Sequence, residues 1–258
     1  MAESTSAVKL IPLGVGNAFS AKHYTTSFAL GVGDDWILID CPHPIRKMLH
    51  EGSTRAGLPL DLDRIHGVVL SHLHADHSSG LEDYSFYSSY IAKRKARLAV
   101  HPEVMAKLWS GVLSGGMSEV RACPGVPAAT RKLDDFFDVT ALDLARPVEF
   151  GPFAIECRFT IHSVPTTAFR IKAAGRTLGF SADTAFDSTL IDWLAPADLI
   201  IHEVTSHSEA ATVHTHFESL RDLPANLRAK IRLTHYSDDF DHQVGGIEPL
   251  VEGRIYAV

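Results

Sequence analysis

The chain has 258 residues, of which 45% are hydrophobic and 21% charged, with 18 Gly and 13 Pro. That length and usage suit a globular chain with a sizeable core and exclude a disordered polypeptide or a disulfide scaffold. The net charge of −7, from 24 Lys and Arg against 31 Asp and Glu, excludes a diffuse positive field that would draw the protein onto nucleic acid or an anionic membrane, so any bound anion must be held locally.

In chain order, short apolar runs bounded by Gly, Asp and Pro predict strands at Val8 to Leu13, Ser27 to Val32, Trp36 to Ile39 and Val68 to Leu70. Helical spacing follows at Glu82 to Ile91 and Glu103 to Trp109, the latter opened by a Pro. A strand is predicted at Ala96 to Val100, and the Gly- and Pro-rich stretch Ser114 to Ala129 reads as a loop or lid. Strand patterns return at Phe153 to Ile161, Ala168 to Ile171, Thr177 to Phe180, Leu199 to Ile201 and Ile231 to Leu233, with helices at Ser188 to Leu194 and Phe217 to Leu223. Strands and helices alternate in both halves without a linker, which predicts two α/β halves packed into one domain over 1–258.

Cys41, Cys123 and Cys157 form neither a CxxC pair nor a zinc-type spacing, which points to a reducing compartment. The amino terminus lacks a signal-peptide pattern, and no apolar run reaches the roughly 18 residues of a membrane span. The expectation is a soluble cytoplasmic protein.

The unusual count is 15 His, the commonest metal ligand and the proton carrier of neutral pH. The run Gly67-Val-Val-Leu-Ser-His-Leu-His-Ala-Asp-His77 is an apolar strand that ends in His72, His74, Asp76 and His77. At the turn, His72 and His74 point one way while Asp76 and His77, at the start of the next helix, point another, so two neighbouring metals could share the segment. Such a motif fills only part of two coordination shells and requires further ligands downstream. His162, Asp183 and His235 each follow a predicted strand.

With these residues in place, the chain resembles the metallo-β-lactamase-fold hydrolases over essentially its whole length, from Leu13-Gly-Val-Gly-Asn and Ile39-Asp-Cys to Leu233-Thr-His-Tyr-Ser. The resemblance implies an α/β fold, an αββα sandwich of the metallo-β-lactamase type with a dinuclear site along one edge. It implies that His72, His74 and His162 bind one metal, that Asp76, His77 and His235 bind the other, and that Asp183 bridges both. Imidazoles and carboxylates without a thiolate suit zinc, and the same set accepts manganese or iron. Two divalent ions bring four positive charges, of which Asp76, Asp183 and a bridging hydroxide remove about three, leaving a locally cationic centre that favours a small anionic substrate. The metals would lower the pKa of the bridging water from 15.7 toward about 7 and so supply the nucleophile.

Flanking residues point to one branch of that superfamily. Thr160-Ile-His-Ser-Val-Pro-Thr-Thr, Asp198-Leu-Ile-Ile-His-Glu-Val-Thr and His214-Thr-His-Phe-Glu are similar to segments of the ribonuclease Z and small-substrate phosphodiesterase branch. That likeness makes Glu203 the residue that orients His214, with His214 as the acid that protonates the leaving alkoxide; Asp76 completes the expected catalytic set. His216 stands where the branch tends to have Thr, so either imidazole could serve. His162 and Asp183 lie only 21 positions apart, which leaves no room for the tRNA-gripping arm of ribonuclease Z. The expected substrates are therefore small phosphodiesters, cyclic nucleotides or similar, and not tRNA or a membrane; a homodimer stays open. The alternatives are a thioester or lactone hydrolase of the same fold, or a non-catalytic metal-binding protein.

Other features have plainer readings. Lys93-Arg-Lys-Ala-Arg97 reads as a solvated charge run rather than a phosphate patch, and Gly14-Val-Gly16 as a tight strand-to-loop turn. His23, His43, His50, His66, His101, His207 and His242 read mostly as surface or turn residues. His202, inside an apolar strand beside Glu203, is expected to hydrogen-bond behind the metal ligands.

Overall fold

The computed structural model describes residues 7–121, 123–208, 212–242 and 246–258. Its strands are β1 (Val8–Gly14), β2 (Ser27–Val32), β3 (Asp35–Ile39), β4 (Ile65–Leu70), β5 (Ala96–Val100), β6 (Glu119–Val120), β7 (Ala129–Thr130) and β8 (Phe137–Ala141). The second half supplies β9 (Val148–Phe150), β10 (Phe153–Phe159), β11 (Thr167–Ala173), β12 (Arg176–Phe180), β13 (Leu199–Glu203), β14 (Ile231–Thr234) and β15 (Tyr256–Ala257). They form a seven-stranded sheet in the order β15-β1-β2-β3-β4-β5-β8, a six-stranded sheet in the order β14-β13-β12-β11-β10-β9, and a small β6-β7 ribbon.

Period-2 alternation assigns the faces of the first sheet. Leu10, Phe28, Leu30, Ile37, Ile39 and Val69 join a core shared with Phe153, Ile155, Phe169, Leu178 and Phe180 of the second sheet. The alternate residues Ile11, Ala29, Leu38, Val68 and Leu70 join a separate cluster with the helical residues Ile45, Met48, Leu49, Leu81 and Tyr84. Phe28 and Phe180 meet edge to face across the sheets, with ring centroids 5.6 Å apart. On the outer face of the second sheet, Gly179 allows the helix Ser188–Leu194 to approach closely, since a Cβ there would stand 3.1 Å from Leu194 Cδ2. The layers run helix, sheet, sheet, helix, as expected of an αββα sandwich.

Strand connectivity explains where chemistry can gather. β3, β4, β5 and β8 run parallel, as do β12, β13 and β14. Parallel neighbours require crossover connections, so the chain after each strand leaves from the same edge. Segments at the carboxyl ends of β3, β4, β12, β13 and β14 converge there, the usual location of sites in such sheets.

Most predicted strands appear within two or three residues of their expected ends. Three differences have physical causes. The helix Ile45–Arg55 carries no clear sequence signal, because Gly52, Ser53 and Thr54 are poor helix formers; its buried face of Ile45, Met48 and Leu49 holds it by packing. The strand predicted to reach Ile161 ends at Phe159, so His162 sits on the following bend. The stretch that reads as a loop over 114–129 contains a helical turn at Ser114–Met117 and pairs its residues Glu119 and Val120 with β7, and Ala122 lies outside the described residues. Among the described residues, no helix is long and apolar enough to cross a membrane.

Candidate metal centre

The β4 exit builds the heart of the site. Ser71 leaves the sheet, and its N–H and Oγ–H both donate to Asp40, each at 2.8 Å. The helical turn Ala75–Ser78 opens with His74 at its N-cap, which sends Asp76 and His77 to the other side of the turn from His72 and His74. The sequence motif thus divides between two nests.

In the first nest, His74 Nδ1 lies 3.2 Å from His72 Nε2 and 3.1 Å from His162 Nε2. Asp183 Oδ2 lies 3.8 Å from both His72 Nε2 and His162 Nε2. In the second, His235 Nε2 is 3.3 Å from Asp76 Oδ2 and 3.4 Å from Asp183 Oδ2. His77 Nε2 is 3.4 Å from Asp76 Oδ2 and 3.5 Å from Asp183 Oδ1. Ligand nitrogens about 2.0–2.1 Å from a tetrahedral zinc stand about 3.3–3.4 Å from one another, so these separations fit metal-centred nests. Asp183 reaches both groups, as a bridging ligand would.

The donor set fits a metal on further grounds. His77 is fully buried, and its Nε2 has no hydrogen-bond partner in the structure, a cost that a metal ligand removes. Second nitrogens are used to fix the rings. His77 Nδ1 pairs with Asp40 at 2.8 Å, His162 Nδ1 donates to the Val213 carbonyl at 3.1 Å, and His72 Nδ1 lies 2.9 Å from Ser71 Oγ. Because the Ser71 hydroxyl donates to Asp40, it accepts from His72 Nδ1–H, which leaves the His72 Nε2 lone pair aimed inward.

Electrostatics agree with the geometry. Burial lowers His72 and His162 below the ordinary imidazole range, so both are neutral and able to ligate. Asp76 and Asp183 are also desolvated, but surrounding imidazoles hold both well below the usual carboxylate range. His77 is raised despite its burial by Asp183 and Asp40, so this anionic pocket calls for a positive charge, which a cation in the nest would supply in place of the proton. Asp40 at φ 59° and His235 at φ 59° adopt the left-handed conformation at their strand ends, a backbone state uncommon outside Gly.

Beside the nests, Glu203 ends β13 and is 1% exposed. His214 Nδ1 lies 3.1 Å from its Oε1, and Thr184 N–H donates to the same oxygen at 2.7 Å. Burial raises Glu203, whereas for His214 the carboxylate outweighs burial and raises the imidazole. Both directions favour holding a proton at this pair. The His214 ring stacks on His235 with centroids 5.2 Å apart. His214 also falls within ligand distance of Asp183 and His235, but its Nδ1 is committed to Glu203. His216 plays a different part, since its Nδ1 accepts from Glu218 N–H at 3.4 Å and caps the helix Phe217–Arg221.

The remaining candidates fall away from the nests. His202 is buried and pairs with its own neighbour's Glu203 carbonyl at 2.8 Å, so it does not support a ligand as expected. Its position on β13, one residue before Glu203, sends its side chain to the opposite face. Arg94 and Lys95 bond carbonyls of Ile65 and Asp134, and Arg97 pairs with His66, so the basic run is structural. His101 is buried and caps the turn Pro102–Met105, a turn residue rather than a surface one. Three residues escape the sequence reasoning as site residues: Asp40, and His207 and Phe19, which line the cavity of about 550 Å³ in front of His74, Asp76, Asp183, His214 and His235.

Comparisons place this geometry among known proteins. The profile of the family described as Anti-Pycsar protein Apyc1 matches residues 8–251. The Anti-Pycsar protein Apyc1 of Saccharibacillus brassicae is 29% identical over 253 residues, covering 95% of this chain and 98% of that protein. The protein of that name from Paenibacillus sp. (strain J14) is 29% identical over 259 residues, covering 98% and 100%. Among solved structures, the metallo-β-lactamase fold protein YhfI from Bacillus subtilis aligns with a TM-score of 0.75 at 20% identity, over 98% of this chain and 100% of that one. The fold is thus that of the metallo-β-lactamase proteins, with a His/Asp cluster suited to metal at its edge.

Proposed function

The chain belongs to the Anti-Pycsar protein Apyc1 family, and we propose that it is a metal-dependent phosphodiesterase that cleaves small phosphodiesters, cyclic nucleotides or similar. We assign two divalent ions, zinc in preference to manganese or iron, to the nests His72/His74/His162/Asp183 and Asp76/His77/His235/Asp183. When bound there, they would supply a hydroxide nucleophile at neutral pH and stabilise charge on the phosphoryl oxygens.

The observation that carries the phosphodiesterase reading is the Glu203–His214 pair. A phosphodiester expels an alkoxide that needs a proton, and a carboxylate-anchored imidazole beside the nests can provide one. Glu203 accepts from Nδ1–H and fixes the ring, and the imidazolium that this carboxylate favours carries its second proton on Nε2, from which it passes to the leaving oxygen. Thr184 N–H holds Glu203 in turn. Asp183 fixes the relative position of the two nests. Between His162 and Asp183 the chain contains only the hairpin of β11 and β12, and this supports small substrates over tRNA.

A substrate panel tests the reading. Purified protein should contain close to two equivalents of transition metal and should hydrolyse bis-p-nitrophenyl phosphate and cyclic mononucleotides, but not a tRNA precursor. Turnover confined to thioesters or lactones would replace the phosphodiesterase reading with its closest rival. Metal well under one equivalent, with no gain on adding zinc or manganese, would leave a non-catalytic protein.

A further inference from the structure

Phe19 is 92% exposed, the most exposed large hydrophobic side chain among the described residues, yet it lines the same cavity as His74, Asp76, Asp183, His214 and His235. A fully solvated aromatic ring at the mouth of a polar site has no packing role in the free protein. Its backbone is nevertheless firmly held. Phe19 N–H donates to Asn17 Oδ1 at 3.0 Å, and Asn17 N–H donates to the Tyr236 carbonyl at 3.2 Å. Ala21 and Lys22 N–H both donate to the Asp238 carboxylate, at 2.9 and 3.2 Å, which also accepts from Ser20 Oγ at 2.5 Å; Lys22 Nζ reaches the Asp238 carbonyl at 2.9 Å. Tyr236 and Asp238 closely follow His235, so the loop that carries Phe19 is tied to the segment that carries a metal ligand.

We propose that Phe19 is the platform on which the aromatic base of a cyclic nucleotide stacks while its phosphodiester occupies the metal centre. This rests on the phosphodiesterase reading and adds to it how the non-reacting end of the substrate is held. A preorganised ring loses little freedom on binding. Phenyl has no donor or acceptor with which to read a base edge, so it recognises a π face and not a sequence of hydrogen-bonding groups. The 550 Å³ cavity is within the range of small-molecule sites.

The test compares Phe19→Ala, Phe19→Leu and Phe19→Trp with the parent on a cyclic purine nucleotide, a cyclic pyrimidine nucleotide and the base-free 3′,5′-cyclic phosphate of a ribose methyl glycoside. Stacking on one base predicts a rise in KM of about 5- to 100-fold for the nucleotides in Phe19→Ala, with kcat within about 2-fold and the base-free substrate unaffected. Phe19→Leu should resemble Phe19→Ala, and Phe19→Trp should restore the low KM. Equal losses on the nucleotides and the base-free substrate, no loss on any, or full rescue by Leu would each overturn the platform. So would a change of oligomeric mass in Phe19→Ala by light scattering, which would make the ring a contact between copies. If the parent hydrolyses p-nitrophenyl diesters but no cyclic nucleotide, the platform falls and the phosphodiesterase survives. If it hydrolyses no phosphodiester, both fall.

Discussion

His77 Nδ1 lies 2.8 Å from Asp40 Oδ2, and both side chains are fully buried. The same carboxylate accepts two bonds from Ser71, so one Asp at the end of β3 orients the β4 exit and one of its imidazoles together. Asp40→Asn tests that coupling. Asn tolerates the left-handed backbone about as well as Asp, so the fold should persist. Its amide can donate to His77 Nδ1, which moves the ring proton to Nε2, the nitrogen aimed at the nest. Competitive chelator titration should show metal affinity reduced by about 10- to 100-fold; unchanged affinity would remove Asp40 from the support of the site.

Asp183 is the next lever, because its two oxygens face imidazoles of both nests. Asp183→Ala should abolish hydrolysis of bis-p-nitrophenyl phosphate and lower the metal content of both nests at once. Full occupancy in elemental analysis, with activity retained, would show that the two nests do not depend on a shared ligand.

How far the sequence discloses this site depends on the distance between partners. His72, His74, Asp76 and His77 occupy one turn, and a local motif after an apolar strand is readable without a fold. His162, Asp183 and His235 are reached through the resemblance and through their place after strands. Asp40 belongs to the Ile39-Asp-Cys segment of the resemblance, but its role is not legible there, because 31 positions separate it from Ser71 and 37 from His77, and no local pattern reports a hydrogen bond across that interval. His214 and His216 are indistinguishable in sequence; only the helix cap at His216 and the Glu203 contact at His214 separate them. Phe19 and His207 carry no signal at all, since their relevance is their position around a cavity. The helix Ile45–Arg55 is hidden for the opposite reason, its weak local propensity being overridden by the burial of Ile45, Met48 and Leu49.

The division of labour between the two imidazoles leads to a leaving-group experiment. His214→Ala should slow hydrolysis of alkyl diesters by about 10²- to 10⁴-fold, the usual contribution of a general acid, while p-nitrophenyl esters lose far less because nitrophenolate departs without a proton. His216→Ala removes one long cap bond and should cost about 0.5 kcal/mol of stability with little change in either rate. Equal losses on both substrate types in His214→Ala would assign that ring to binding instead.

The buried His202, outside the two nests, leads to a prediction about acid sensitivity. Burial lowers its imidazole to about 4, only partly offset by its bond to the Glu203 carbonyl. At pH 7 the ring is neutral in both folded and unfolded chains, and it contributes no pH dependence. As the pH falls below about 6.5, the unfolded chain takes up a proton that the folded chain refuses until about pH 4. Stability must therefore fall with pH across that window, because the unfolded state binds more protons. The total loss from this one group is about 3 kcal/mol, reached near pH 4 and constant below it. His202→Gln keeps a donor for the Glu203 carbonyl and removes the titration. Urea unfolding of parent and variant between pH 7 and pH 4, both in excess chelator so that proton competition with metal cancels, should show the parent losing stability more steeply by that amount. Parallel curves would mean that the buried ring accepts its proton without cost, and would assign the acid sensitivity of the fold to other groups.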